Sequence, residues 1–183
     1  MDLEYSRYEE IKEVVAKTLQ LGQVSELPIC PYTLADSLGI KQITYSSLSE
    51  EKKAACFELS DEGFILDNDI YYNDLMYEKR TRFTLMHEIG HIMLDHRVES
   101  DIAEKEANFF AKYILAPPIL ILAHDPTFDM NEFKIRKIFN VSDEISGYIY
   151  DSYRKWIAQL NGIVPSASYD VIIYNLFYNP TEI

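Results

Sequence analysis

Three shortages narrow what this chain can be. Cysteine is nearly missing: Cys30 and Cys56 stand alone, with no CxxC spacing. A disulfide framework and a thiolate zinc clamp are both excluded, and the pair reads as reduced structural thiols of a cytoplasmic protein. Positive charge is scarce as well, with 17 Lys and Arg against 30 Asp and Glu and a formal net charge of −13. Such a field repels phosphate backbones, and the densest basic stretch, Glu78-Lys79-Arg80-Thr81-Arg82, is short, so direct nucleic-acid binding is not expected. Long apolar runs are absent too. None approaches the ~20 residues a membrane helix needs, and the opening MDLEYSRYEEIKEVV has no apolar signal core, so no membrane partner is expected.

What is present is a core. Hydrophobic residues make up 48% of 183, with 14 Tyr and 9 Phe, enough for one domain or one domain plus a small appendage. Three-and-four spacing predicts a helix from Leu3 to about Leu21, and a short one over Pro31–Leu38 ending at Gly39. Ile40–Tyr45 alternates like a strand. Ala55–Leu59, Phe64–Leu66 and Ile70–Asn73, separated by turn residues, read as a three-stranded antiparallel meander. Helices are expected from Tyr77 or Lys79 to about Asp95, from Ser100 to Leu115, from Asn131 to Phe139 and from Ser142 to Leu160. A late strand is expected at Tyr169–Tyr174. Together these elements make an α+β fold. A boundary near Pro126 divides residues 1–125 from a helical extension, 126–183, with a terminal strand, packed on the same domain.

The chemistry lies in Leu85-Met86-His87-Glu88-Ile89-Gly90-His91-Ile92-Met93-Leu94. Burying ionisable groups among such neighbours is costly unless they are paired or bound to metal. His87 and His91, four apart, share one helix face and can aim two imidazoles at one point, the bite that zinc takes from a single helix. Glu88 lies about 100° further round, beside a metal rather than on it, which suits a base acting on water. Gly90 costs roughly 1 kcal/mol against Ala inside a helix, a cost that makes sense if something packs closely against it.

A catalytic zinc usually has three protein ligands and an open fourth position. His96, five residues past His91, points about 140° away on a continued helix and is a poor third ligand. His124 lies in an expected loop. The carboxylates Glu104 and Glu106 flank the apolar stripe Ala103, Ala107, Phe110, Ala111, Ile114 on opposite sides, and either can reach inward. Glu104 has the better case. Asn108, one turn on, can hydrogen-bond a ligand histidine, and the small Ala residues let two helices approach closely. Two imidazoles, a carboxylate and an open position suit zinc.

The run Arg82-Phe83-Thr84-Leu85-Met86-His87-Glu88-Ile89-Gly90-His91, the block Glu104-x-x-Ala107-Asn108-x-Phe110-Ala111 and the following Leu115-Ala116-Pro117 resemble the ImmA/IrrE family of metallopeptidases. The likeness covers about residues 5–118. It implies a zincin-like fold, with a small antiparallel or mixed sheet packed on helices and the HExxH helix in the core. It also implies a gluzincin-type zinc endopeptidase with one zinc ion per chain, held by His87, His91 and Glu104, and Glu88 as the catalytic glutamate. Family members commonly cleave transcriptional repressors of phages, mobile elements or stress responses, so a helix-turn-helix repressor is the expected protein substrate.

Two other readings compete. A non-catalytic, metal-containing module could sequester a repressor, but binding has no need of Glu88. A DNA-binding regulator could use residues 131–160 as a helix-turn-helix, but that segment is nearly charge-balanced. Tyr113 and His124 are candidates for steadying an oxyanion. The strand Ile70–Asn73 is expected at the sheet edge, where an extended substrate could pair with it.

Overall fold

The computed structural model describes residues 3–160 and 165–179. Helix α1 (Tyr5–Leu21) buries Ile11, Val15, Ala16 and Leu19 along the expected stripe. Helix α2 (Pro31–Ser37) starts on proline, which has no amide hydrogen to leave unpaired, and gives way to Gly39 at φ +72°.

The meander is not formed as expected. Residues 55–59 belong to α3 (Glu50–Leu59), not to a strand. The Ser49 side chain accepts from the Lys52 amide at 3.5 Å, and Glu50 and Glu51 occupy the first turn, so the N-terminal helix signal outweighs the β-prone Cys56-Phe57. The sheet consists of β1 (Gln42–Thr44), β2 (Gly63–Leu66) and β3 (Asp69–Tyr72), in the order β1-β3-β2. β1 runs parallel to β3 and β2 antiparallel to it, so the sheet is mixed. The β2–β3 hairpin turns on Asp67 and Asn68 at φ 52° and 68°, the two left-handed residues of a type I′ turn. β3 is therefore central, with both edges occupied, rather than the edge strand expected. The outer strands are β1 and β2.

Helix α4 (Glu78–Met93) carries the histidines and pairs with α5 (Asp101–Leu115). Ser100 caps α5 by accepting from the Ala103 amide at 3.1 Å. Ala103, Ala107 and Ala111 are all buried, giving α5 the narrow face that the close pairing needs. Opposite lies Gly90, where a Cβ would stand 2.9 Å from the Phe110 ring and 3.3 Å from its Cβ. The buried Arg82 guanidinium ties α4 to two loops, donating to the Ile29 carbonyl at 2.7 Å and the Asn140 carbonyl at 3.2 Å.

Beyond α5 come α6 (Pro118–Ala123), α7 (Glu132–Phe139), α8 (Asp143–Leu160) and α9 (Ser168–Tyr178). The stretch Asp101–Ala123 has the length and hydropathy of a membrane span, contrary to the expectation from apolar runs, but 67% of its most apolar window is buried in the molecule and it is core. The late strand is also corrected. Tyr169–Tyr174 is helical, and Tyr169, Ile173 and Leu176 are buried at helical spacing where α9 packs on α1. Packing overrides the β propensity of Val171, Ile172 and Ile173. Polar contacts pin this junction. The Tyr169 hydroxyl donates to Glu9 at 2.8 Å, and the Tyr113 hydroxyl to Asp170 at 3.4 Å.

Gly90→Ala tests the helix pairing. The gain of about 1 kcal/mol in helix propensity is opposed by overpacking against Phe110 of roughly 1–3 kcal/mol, so urea unfolding is expected to show a net loss. A gain equal to the propensity term would mean that Phe110 yields freely.

Asp170 tests the α9 junction. Burial pushes its carboxyl up to about 6 from an ordinary 3.8. Between those values the folded chain holds a proton that the unfolded chain has lost, so this residue's contribution to stability falls as pH rises from about 4 to 6 and stays low above that. Asp170→Asn removes the effect. The variant's stability relative to wild type should grow over that window by on the order of 2–3 kcal/mol, and parallel pH profiles would refute the assignment.

Candidate metal and peptidase site

The α4–α5 pairing sets three donor atoms facing one another. Nε2 of His87 and Nε2 of His91 are 3.0 Å apart. Glu104 of α5 reaches both, with Oε2 at 3.3 Å from His87 and Oε1 at 3.2 Å from His91. All three ligand atoms lie within 4.8 Å of one another, the spacing at which one metal ion can be held. Donors around tetrahedral zinc, bonded at about 2.0–2.2 Å, stand roughly 3.3–3.6 Å apart, so the set fits zinc with little adjustment.

Electrostatics favour the same reading. Burial keeps both imidazoles from charging. Burial lowers His87 despite the raising effect of Glu104, and burial followed by His87 pushes His91 down to about 4. Two neutral rings and a carboxylate then present lone pairs to one point, an arrangement suited to a cation between them. Glu88 is buried beside them, and burial, followed by the charge of Glu104, pushes its carboxyl up to about 8. Asn108 hydrogen-bonds the His87 side chain.

Glu106, the alternative carboxylate, is engaged elsewhere. It takes Arg7 of α1 in a two-pronged ion pair, Nε to Oε1 at 2.8 Å and Nη2 to Oε2 at 2.6 Å, and Arg7 holds its carboxyl below the usual range. The same Oε2 lies 2.9 Å from Nε2 of His96. On a continued helix His96 would point away from His91. The helix instead stops at Met93, Asp95 turns left-handed at φ 54°, and the His96 amide donates back to the His91 carbonyl at 3.0 Å. The His96 ring swings back so that its Nδ1 meets Nδ1 of His91 at 3.0 Å. The available signal was Asp95 itself, since Asp and Asn are favoured at left-handed helix ends.

The site opens into a cleft of about 1080 Å³ between β2, α4, the loop after α4 and the start of α5. Its cations are already paired. Arg80 binds Glu62, which also accepts from Thr84 at 3.0 Å, and Arg97 binds Asp95 at 3.1 Å. Neither candidate for the oxyanion lines this cleft. Tyr113 is buried against Asp170, and His124 meets the Tyr178 hydroxyl at 3.1 Å.

Comparison with curated proteins finds no matching relative. The family model of the IrrE N-terminal-like domain matches residues 35–148, which include α4, α5 and every member of the His87, His91, Glu104 cluster. That match spans more than half of the 183 residues, and the chain belongs to this family of ImmA/IrrE-type metallopeptidases, hydrolases that act on proteins with a metal cofactor.

Proposed function

We propose that the protein is a zinc-dependent endopeptidase that cuts a DNA-binding repressor in the cytoplasm. The observation that carries the reading is the convergence of His87, His91 and Glu104 with Glu88 buried beside them. Zinc held by these three side chains would supply Lewis acidity and bring a water's pKa near neutrality. Glu88 works as the proton carrier. Its carboxylate accepts the proton of the attacking water, and the resulting acid returns it to the leaving amine nitrogen. Asn108 keeps the His87 ring turned towards the cluster.

The substrate class follows from charge. Asp61, Glu62, Asp95, Glu99 and Asp101 line the cleft against Arg80 and Arg97, both of them paired. Such walls attract a basic segment, as DNA-binding proteins carry, and repel acidic ones. An extended chain is expected to pair along β2, whose residues Gly63, Phe64 and Ile65 border the cleft. Both cysteines are free thiols, consistent with a reducing compartment.

Elemental analysis of wild type, Glu104→Gln and Glu106→Gln, purified without added metal, comes first. About one zinc per wild-type chain, lost with Glu104→Gln and kept in part with Glu106→Gln, is expected; a wild type that takes up no metal even when zinc is supplied refutes the reading. Glu88→Gln should retain zinc and lose cleavage of a basic repressor by about 10²–10⁴-fold. Equal cleavage by Glu88→Gln would remove Glu88 from the mechanism, and zinc binding with no cleavage by wild type would favour a module that grips its partner without cutting it.

A further inference from the structure

The cluster accounts for one ring nitrogen of His91. The other belongs to a chain of side chains, His91 Nδ1 to His96 Nδ1 at 3.0 Å, then His96 Nε2 to Glu106 Oε2 at 2.9 Å, then Glu106 to Nε and Nη2 of Arg7, whose Nη1 donates to Glu10 at 2.8 Å. His96 and Glu106 are nearly closed to solvent, with side chains 10% and 8% exposed. Arg7 comes from the far end of the sequence, 99 residues from Glu106.

Followed from Arg7, and with His96 as the neutral imidazole, this chain has one hydrogen-bond polarity. A guanidinium has donors only and stays charged. Its two-pronged hold on Glu106 requires an ionised carboxylate, which has acceptors only. The nitrogen of His96 facing Glu106, Nε2, must then carry the hydrogen. A neutral imidazole has one, so Nδ1 of His96 is a lone pair. Nδ1 of His91 must in turn carry the hydrogen that this lone pair accepts. Nε2 of His91, which faces His87 and Glu104, is left with the lone pair that a metal needs.

We propose that Arg7, Glu106 and His96 form a positioning chain that sets the tautomer and the ring orientation of His91, so that α1 completes the metal site from outside the 35–148 family match. The inference rests on the metal site proposed above, and the chain has a different purpose from the ligands: it holds no metal and touches no substrate. Its members differ from an ordinary buried ion pair in ending on a ligand nitrogen. Outer partners of metal-bound histidines typically govern affinity by 10–100-fold.

Two substitutions at His96 separate its two contacts. The side-chain amide of His96→Asn falls where Nδ1 was and keeps the contact with His91. The amide of His96→Gln falls where Nε2 was and keeps only the contact with Glu106. Zinc affinity is measured on the full chain by competition with a chromogenic chelator, alongside the thermal midpoint of each metal-free protein. His96→Asn, which keeps the His91 contact but is cut off from Glu106, is expected about tenfold weaker than wild type, and His96→Gln, which loses the His91 contact itself, weaker still, towards about 100-fold. Glu106→Gln, whose amide can accept or donate, releases the polarity and should weaken zinc by about tenfold. Asn and Gln variants of equal affinity, or a Gln variant matching wild type, would overturn the chain while leaving the metal site standing. A wild type that binds no zinc overturns both. Nitrogen-15 shifts of His91 in zinc-loaded wild type give a readout that needs no variant: protonated Nδ1 with zinc on Nε2 is expected, and the opposite tautomer refutes the proposal.

Discussion

The close approach of α4 and α5 is the constraint on which the rest depends. At Gly90 the helices come so near that the Phe110 ring occupies the space a Cβ would need. That contact sets the height at which Glu104, on α5, meets His87 and His91, on α4. A wider spacing would leave the carboxylate short of the imidazoles, because the glutamate stem reaches only a few ångströms. The small faces of Ala103, Ala107 and Ala111 belong to the same requirement. Stability and site geometry are therefore one property here: the residues that pack the core also fix the spacing of the donors.

The remaining architecture holds this pair in place. Arg82 fastens α4 to the loops at Ile29 and Asn140, so the N-terminal and C-terminal parts of the chain both bear on the histidine helix. The small mixed sheet covers one side and leaves β2 bordering the cleft. On the other side α1 packs on α5, and α9 packs on α1. Arg7 and Glu9 lie two residues apart on α1, yet one reaches Glu106 near the histidines and the other accepts from Tyr169 of α9. A single helix thus joins the C-terminal helix to the centre of the molecule.

Much of this was legible in the sequence, and the exceptions share a physical cause. The helical periodicities of α1, α4 and α5, the Gly39 stop and the Asp67-Asn68 turn rest on local rules, and the structure follows them. The spacing His87-x-x-x-His91 and the paired positions Glu104 and Asn108 are local too, so the cluster could be assembled on a helical surface before any fold was known. The failures lie where non-local packing decides. Tyr169–Tyr174 looked like a strand because its residues are β-branched and aromatic, but burial against α1 rewards the helical spacing of Tyr169, Ile173 and Leu176. β3 looked like an edge because sequence order put it last; the parallel pairing with β1 arises only in three dimensions. His96 is no member of the ligand cluster, as its spacing implies, but its contact with the back of His91 is invisible to a continued helix, because a single left-handed residue, Asp95, reverses the direction of the chain.

Charge gives the final link between packing and chemistry. Glu88, Glu104, Glu62 and Glu106 crowd a small, partly buried volume, and Arg80 and Arg7 are committed to Glu62 and Glu106. Burial, followed by the neighbouring charge of Glu104, pushes the Glu88 carboxyl up to about 8. A divalent cation held by His87, His91 and Glu104 would reverse this balance by favouring the carboxylate form of Glu88. The excess of negative charge in this volume makes it one that a bound cation would stabilise. Arg7 matters to this arrangement by what it withholds: by claiming Glu106, it keeps a second carboxylate from competing with Glu104 for the histidines.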